Sequence, residues 1–279
     1  MVENRPFLAV LTHLVLIVGV LVIAFPVYVA VIAMTHSKET LSLSAPLLPG
    51  GELFTNIALV WNYDPPGMPP FWRMVWNSTW MALIIMAGKI SISIISAYAI
   101  VYFRFPFRTL AFWLIFITLM LPVEVRIIPT YEVVANLGLL NSYAGLTVPL
   151  IASATATFLF RQFFMTIPDE MMEAARVDGA GPVKFFFDIL LPLSRTNIAA
   201  LSIILFIYGW VQYLWPLLVT TREEHFTLMV GVRSMIGLVD VDPQWNMIMA
   251  AAVLALLPPV LIVIFMQRLF VKGLVETEK

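Results

Sequence analysis

The stretch that decides the fold is Glu173–Pro192, EAARVDGAGPVKFFFDILLP, a polar hairpin in a chain that is otherwise mostly apolar. Just before it, Pro168 suits the first position of a helix, and Asp169 and Glu170 complement the positive end of a helix dipole. Met171–Val177 continue that helix. Asp178-Gly179-Ala180-Gly181 stop it, because glycine permits the left-handed turn at which many helices end. Pro182 starts a second helix, and Pro192 is expected to break it. Residues 168–195 therefore read as helix, tight turn, helix. Ala174, Ala175 and Gly179 leave one side nearly flat, so another backbone can approach, while Phe185, Phe186 and Phe187 supply apolar bulk. Residue types alone leave two readings open: an interfacial helix pair that tidies a long loop, or a short helix shaped for another protein's groove.

The rest of the chain says where this hairpin sits. Its 279 residues are 61% hydrophobic and 12% charged, with a mean hydropathy of +0.94. Soluble domains are roughly 45–50% apolar and about 25% charged. A helix needs roughly 20 apolar residues to cross a bilayer core of about 30 Å. Six stretches qualify: Phe7–Met34, Phe71–Phe103, Thr109–Ile128, Ser142–Phe164, Asn197–Val219 and Met247–Phe270. The third is the weakest, since its clean run stops at Leu121 and Pro122, Glu124 and Arg126 follow. A broken helix is tolerated at membrane depth only where protein or a water-filled cavity surrounds it. The first stretch exceeds the 7–15 apolar residues of a signal peptide, so it reads as an uncleaved anchor despite Val31-Ile32-Ala33. The expected fold is an all-α integral membrane protein: six transmembrane helices in a single transmembrane domain over 1–279, with the hairpin between helices four and five.

Basic residues set the orientation. With the N-terminus inside, Arg5, Arg104, Arg108, Arg161, Arg176, Lys184, Arg195, Arg268, Lys272 and Lys279 lie inside. Lys38, Arg73, Arg126, Arg222 and Arg233 lie outside or near that face, and Lys89 lies within a span. Ten, five and one account for all 16. Both termini and the hairpin are then expected in the cytoplasm. The outer segments Thr35–Pro70 and Thr221–Trp245 are rich in turn formers, including Gly237 and Pro243, and the second carries Asp240 and Asp242; both read as loops. Trp61, Trp72, Trp76 and Trp245 fall near the outer boundary, where amphipathic rings prefer to lie.

The hairpin also has a likeness. Glu173-Ala174-Ala175, then Asp178-Gly179-Ala180, then Ile189-Leu190-Leu191-Pro192 resemble the EAA loop of binding-protein-dependent ABC importer permeases. The resemblance implies a cytoplasmic coupling helix that docks in a cleft of an ATPase. Glu173, Ala174, Ala175, Asp178 and Gly179 would form the docking turn, with Ile189 and Pro192 as its anchor. Phe103-Arg104-Phe105-Pro106, Leu121-Pro122, Ile128-Pro129, Gly209-Trp210 and Leu214-Trp215-Pro216 are similar to the carbohydrate-importer branch, which includes the maltose permeases. The text ITLMLPVEVRI at 117–127, SATATFLFRQFFMT at 153–166 and YGWVQYLWPLL at 208–218 is similar to members that import glycerol phosphates. The function this implies is one half of a translocation path for sn-glycerol 3-phosphate and related glycerophosphodiesters, or for a sugar, in the bacterial inner membrane. The implied partners are a homologous permease subunit, two ATPase subunits that bind ATP and Mg, and a periplasmic solute-binding protein. The implied mechanism is alternating access.

Candidate solute-path residues come from charges and polar groups inside apolar stretches. Lys89 lies fifteen residues before Arg104, about 22 Å of helix, too far for its stem to reach the interface. A cation near mid-membrane costs at least ~2.5 kcal/mol unless it meets a partner or water. It reads either as a positive charge beside the path of an anion, or as a buried lysine satisfied by carbonyls, by Ser91 or Ser93, or by an acid on a partner subunit. Glu124 and Arg126 read as lining an aqueous vestibule or pairing with a partner's charges. Gln212 and Tyr213 could bond a polar solute or cross a helix interface. The small residues Ser153–Thr157 read as close helix packing. No catalytic set is found: there is no Cys, His13, His36 and His225 stand far apart without metal-ligand spacing, and there is no P-loop. No basic stripe suggests nucleic acid. Neither cofactor nor metal is expected on this chain. The rival classes are a secondary transporter, a membrane enzyme, and a structural subunit whose partner alone carries the solute.

Overall fold

The structure is a computed structural model that describes residues 6–118, 121–236 and 243–275. Arg5, Gly237, Asp240, Asp242 and Lys279 lie outside the described residues, as do the side chains of Glu124, Arg268 and Lys272. The described residues form helices and no strand. In chain order these are α1 Pro6–Ala33, α2 Lys38–Leu43, α3 Leu53–Trp61, α4 Phe71–Tyr102, α5 Arg108–Ile117, α6 Val123–Asn136, α7 Tyr143–Thr147 and α8 Ala154–Phe164. Then come α9 Asp169–Val177, α10 Pro182–Phe185, α11 Leu191–Leu193, α12 Arg195–Trp210, α13 Leu214–Val219, α14 Leu228–Ile236 and α15 Trp245–Val275.

Helices α1, α4 and α15 lie over the first, second and sixth predicted spans. Val10–Ala33, Phe71–Tyr102 and Trp245–Met266 are each long and apolar enough to cross a membrane. The number rises to five if each of two bent pairs counts once: Tyr143–Leu150 with Ala154–Phe164, bent by 44°, and Pro182–Leu193 with Arg195–Trp210, bent by 71°. The middle of the chain is thus broken, at Pro122 as the sequence suggests and in the fourth and fifth stretches where it suggests straight rods. In the third stretch α5 is only ten residues long, and α6 begins after Pro122. In the fourth, Ser153 starts α8 afresh, its Oγ accepting from the Ala156 N–H at 3.3 Å. In the fifth, the chain leaves helix between Trp210 and Leu214.

The chain divides into two compact units. The first comprises residues 1–66, 70–72 and 231–257. Its outer segment is not the bare loop the turn formers suggest. Ser37 caps α2, and α3 is fixed by Asn56, which is 1% exposed. The Asn56 amide donates to the Met34 and His36 carbonyls, both at 2.8 Å, and its carbonyl accepts from the Asn246 amide at 2.7 Å. One buried asparagine thereby ties the ends of α1 and α15 to α3. Composition missed this because a single well-satisfied polar group outweighs many turn-forming neighbours.

The second unit comprises residues 67–69, 73–230 and 258–279. Among its described residues, two clusters of buried side chains stand out. One gathers Met81, Ile85, Ile127, Val134, Leu146, Trp215 and Val219. There the Trp215 indole donates to the Gly145 carbonyl at 3.1 Å, and Asn141, in a left-handed conformation at φ 55°, accepts from the Thr221 and Arg222 N–H groups at 2.6 and 2.8 Å. Asn77, fully buried, donates to the Glu224 and Phe226 carbonyls at 2.9 Å and accepts from the Tyr143 hydroxyl at 2.6 Å. Burial holds the His225 imidazole below its usual pKa, against the opposing pull of Glu224. The other cluster joins Ile94 and Ala97 of α4, Phe160 and Phe164 of α8, Leu201 and Leu205 of α12, and four residues of the hairpin. Helices approach closely through small residues: a Cβ on Gly209 would lie 2.7 Å from the Ala82 Cα.

Candidate functional site

The hairpin forms as its residue types dictate, with one correction. Helix α9 follows Pro168 and ends at Gly179, whose φ is 76°. The Ala180 N–H donates to the Ala175 carbonyl at 2.8 Å and the Gly179 N–H to the Arg176 carbonyl at 3.0 Å, the paired bonds of a Schellman cap. Pro192 does not break the second helix. Phe186–Leu190 form a π turn after α10, and Pro192 sits within α11. The wider turn relieves the clash between a proline ring and the carbonyl four residues back. The bend falls instead at Ser194, which is fully buried and whose Oγ donates to the Leu190 carbonyl at 2.6 Å.

Burial divides the hairpin into a packed side and a free side. Ala175, Phe185, Phe186 and Leu190 are buried in the cluster with α4, α8 and α12, and Ile189 packs against it. The Tyr98 hydroxyl on α4 donates to the Pro182 carbonyl at 2.9 Å. Glu173, Ala174, Asp178 and Gly179 are exposed, while Ala175 is not. Pro192 is half-buried. Val177, Val183 and Phe187 are also exposed, at 87%, 71% and 57%. Three bare apolar side chains beside a small-residue turn make a sticky face. Sequence reading passed over the two valines; their place two residues from Ala175 and Phe185, on the opposite helix faces, was the available signal.

The proposed solute-path residues come together only in part. Lys89 is 7% exposed, and its Nζ stands 3.7 Å from the centre of the Tyr208 ring. Among the described residues no carboxylate pairs with it. Ser93 does not serve it either: its Oγ donates to the Ser153 carbonyl at 3.1 Å. Arg126, itself exposed, is close enough to act electrostatically on both Lys89 and Tyr208. The Gln212 amide donates to the Tyr208 carbonyl at 3.1 Å, one helical turn away. Lys89 stacks on the Tyr208 ring and Gln212 bonds the Tyr208 backbone, so Tyr208 joins the two; sequence reading missed it although it lies four residues before Gln212. Tyr213, 37% exposed, is not part of this group. A lysine over an aromatic face away from water gains about 2 kcal/mol, which helps hold the cation without neutralising it. The group can offer two positive charges to an anion. Among the described residues no three His, Asp or Glu gather as metal ligands.

Residues 89–276 match the family described as the binding-protein-dependent transport system inner membrane component. Over 282 residues, all of both chains, the sequence is 58% identical to the sn-glycerol-3-phosphate transport system permease protein UgpE of Escherichia coli strain K12. The chain belongs to this binding-protein-dependent family. The Yersinia pestis bv. Antiqua (strain Nepal516) protein of the same name is 58% identical over 281 residues, again all of both chains. The crystal structure of a bacterial ABC transporter involved in the import of the acidic polysaccharide alginate matches 96% of this chain and 98% of its own, with a TM-score of 0.84. At 19% identity that likeness speaks for the fold. As a binding-protein-dependent inner membrane component, the chain is an ABC importer permease built from helices.

Proposed function

We propose that this permease forms half of the translocation path of an importer for sn-glycerol 3-phosphate and related glycerophosphodiesters. The observation that carries the solute assignment is identity of 58% along the entire chain to relatives named for that solute. The buried Lys89 with Arg126 beside it supports the reading, since a phosphate ester needs positive charge along an otherwise apolar path. Gln212 and Tyr213 offer bonds to the glycerol hydroxyls, and Glu124 with Arg126 borders the outer vestibule. The chain itself catalyses nothing. A homologous permease completes the path, two ATPase subunits bind ATP and Mg, and a periplasmic binding protein delivers the solute.

Six spans cross the inner membrane, with both termini and residues 168–195 in the cytoplasm. The exposed turn of Glu173, Ala174, Asp178 and Gly179 docks on the ATPase, flanked by Val177, Val183 and Phe187. Ala175, Ile189 and Pro192 anchor it to the helices. Closure of the ATPase dimer then moves α4, α8 and α12 as one packed body. Uptake of labelled glycerol 3-phosphate and of maltose, in cells with and without this chain, tests the assignment. Glycerol 3-phosphate uptake that needs the chain, stops on ATP depletion and survives collapse of ion gradients is expected. Chain-dependent maltose uptake instead would make it a sugar permease, and loss on gradient collapse alone would make it a secondary transporter.

A further inference from the structure

A second cationic cavity, of about 450 Å³, lies between α5 and α8 and shares Val101, Arg108 and Met165 with the cleft beside the hairpin. Arg108 and Arg161 line it, with Thr109 and Gln162 as further polar groups. No acid lines it. The Arg161 guanidinium stacks 4.1 Å from the centre of the Phe112 ring, yet its Nε is buried without a hydrogen-bond partner. A buried guanidinium N–H without an acceptor is costly, and among the described residues none meets it. The N-terminus of the ten-residue α5 opens beside it: Phe107, at φ 63°, provides no side-chain cap, and the first-turn N–H groups add to the positive field.

The rest of the cavity is aromatic. Phe112, Trp113, Phe116 and Phe158 pack against one another with ring centres 5.5 to 6.5 Å apart. Beyond them α5 bares Leu110, Leu114 and Ile117, each more than half exposed. Before it, exposed Phe103, Phe105 and Phe107 alternate with Arg104 and Arg108, a pattern that suits the headgroup boundary. Positive charge at one end and an apolar ramp at the other match one amphiphile.

We infer that Arg108 and Arg161 hold the phosphate of an anionic phospholipid, phosphatidylglycerol in kind, whose acyl chains lie along α5. A zwitterionic lipid fits less well, because its ammonium would find no acid in the cavity. This rests on the reading of α5 and α8 as membrane helices with this end facing the cytoplasmic leaflet. The bound lipid wedges α5 against α8, one of the helices packed on the hairpin.

The test uses the assembled importer in nanodiscs containing phosphatidylglycerol and phosphatidylethanolamine. After transfer to mild detergent, retained lipid is counted by mass spectrometry. The unaltered importer is expected to keep phosphatidylglycerol, and Arg108→Gln with Arg161→Gln to keep about tenfold less, as loss of charge-assisted contacts requires. Equal retention by both overturns the inference, as does displacement of the lipid by millimolar inorganic phosphate, which would make the cavity a free-phosphate site. If the double variant fails to assemble, brominated phosphatidylglycerol and brominated phosphatidylcholine are compared as quenchers of the Trp113 signal, obtained by difference from Trp113→Phe. Stronger quenching by the anionic lipid is expected. Equal quenching overturns the proposal, and so does none, which would mean a protein segment covers the cavity. Absence of quenching of every tryptophan in the chain, rather than of Trp113 alone, would instead count against the membrane placement itself.

Discussion

Lys89 was legible in the sequence as an anomaly, because a cation so far from either end of an apolar helix needs a reason. Its partner was not legible, because Tyr208 is 119 residues away and only the packing of α12 against α4 brings the ring under the ammonium. If the charge serves an anion, Lys89→Met should cut glycerol 3-phosphate uptake by about tenfold or more while the importer still assembles. Uptake at the unaltered rate would leave the lysine a structural role alone. Asn56 shows the reverse case, a residue with no visible signal that turns out to hold three segments. Asn56→Leu should destabilise the first unit, with about 1–3 kcal/mol lost for each buried group left without a partner, read as a lower midpoint in detergent thermal unfolding. Gly209→Val drives a branched side chain into the Ala82 backbone, so a loss of about 1–3 kcal/mol is expected in the same assay.

At the scale of elements, the hairpin was the most readable part of the chain. Proline, acids and glycine at fixed positions name the start, charge and end of α9, and each does so through local chemistry. The π turn before Pro192 was not readable, since a tertiary cluster that buries Phe186 and Leu190 holds that backbone in register. The same division predicts variant behaviour. Glu173→Lys changes the free side only, and Gly179→Asp meets no atom within 4 Å but strains the left-handed cap at φ 76°, a cost of about 1–2 kcal/mol. Both should weaken retention of the ATPase subunits in a pull-down and leave the permease folded. Leu190→Ala changes the packed side, and should instead cost about 2–5 kcal/mol of stability. Equal ATPase retention by Glu173→Lys and the unaltered chain would remove the docking turn from its proposed role.

At the scale of the whole molecule, the own-chain burial of the long helices differs. The apolar window of α1 is 6% buried and that of α4 is 33% buried. Helix α1 therefore turns most of its surface to lipid or to another chain, while α4 is a packing centre. A label in the hairpin, placed at Lys184, should react only with membrane-permeant reagents in intact cells; reaction with an impermeant reagent would invert the proposed orientation. The sequence by itself determined the solvent, the helical class and the local form of the hairpin, because composition, hydropathy and turn chemistry act over a few neighbouring residues. Only the tertiary structure decided where the fourth and fifth helices break, which outer segments are helical, and which polar groups meet. Those outcomes depend on buried groups such as Asn56, Asn77 and Lys89 finding partners tens to hundreds of residues away, and no local pattern encodes such a meeting.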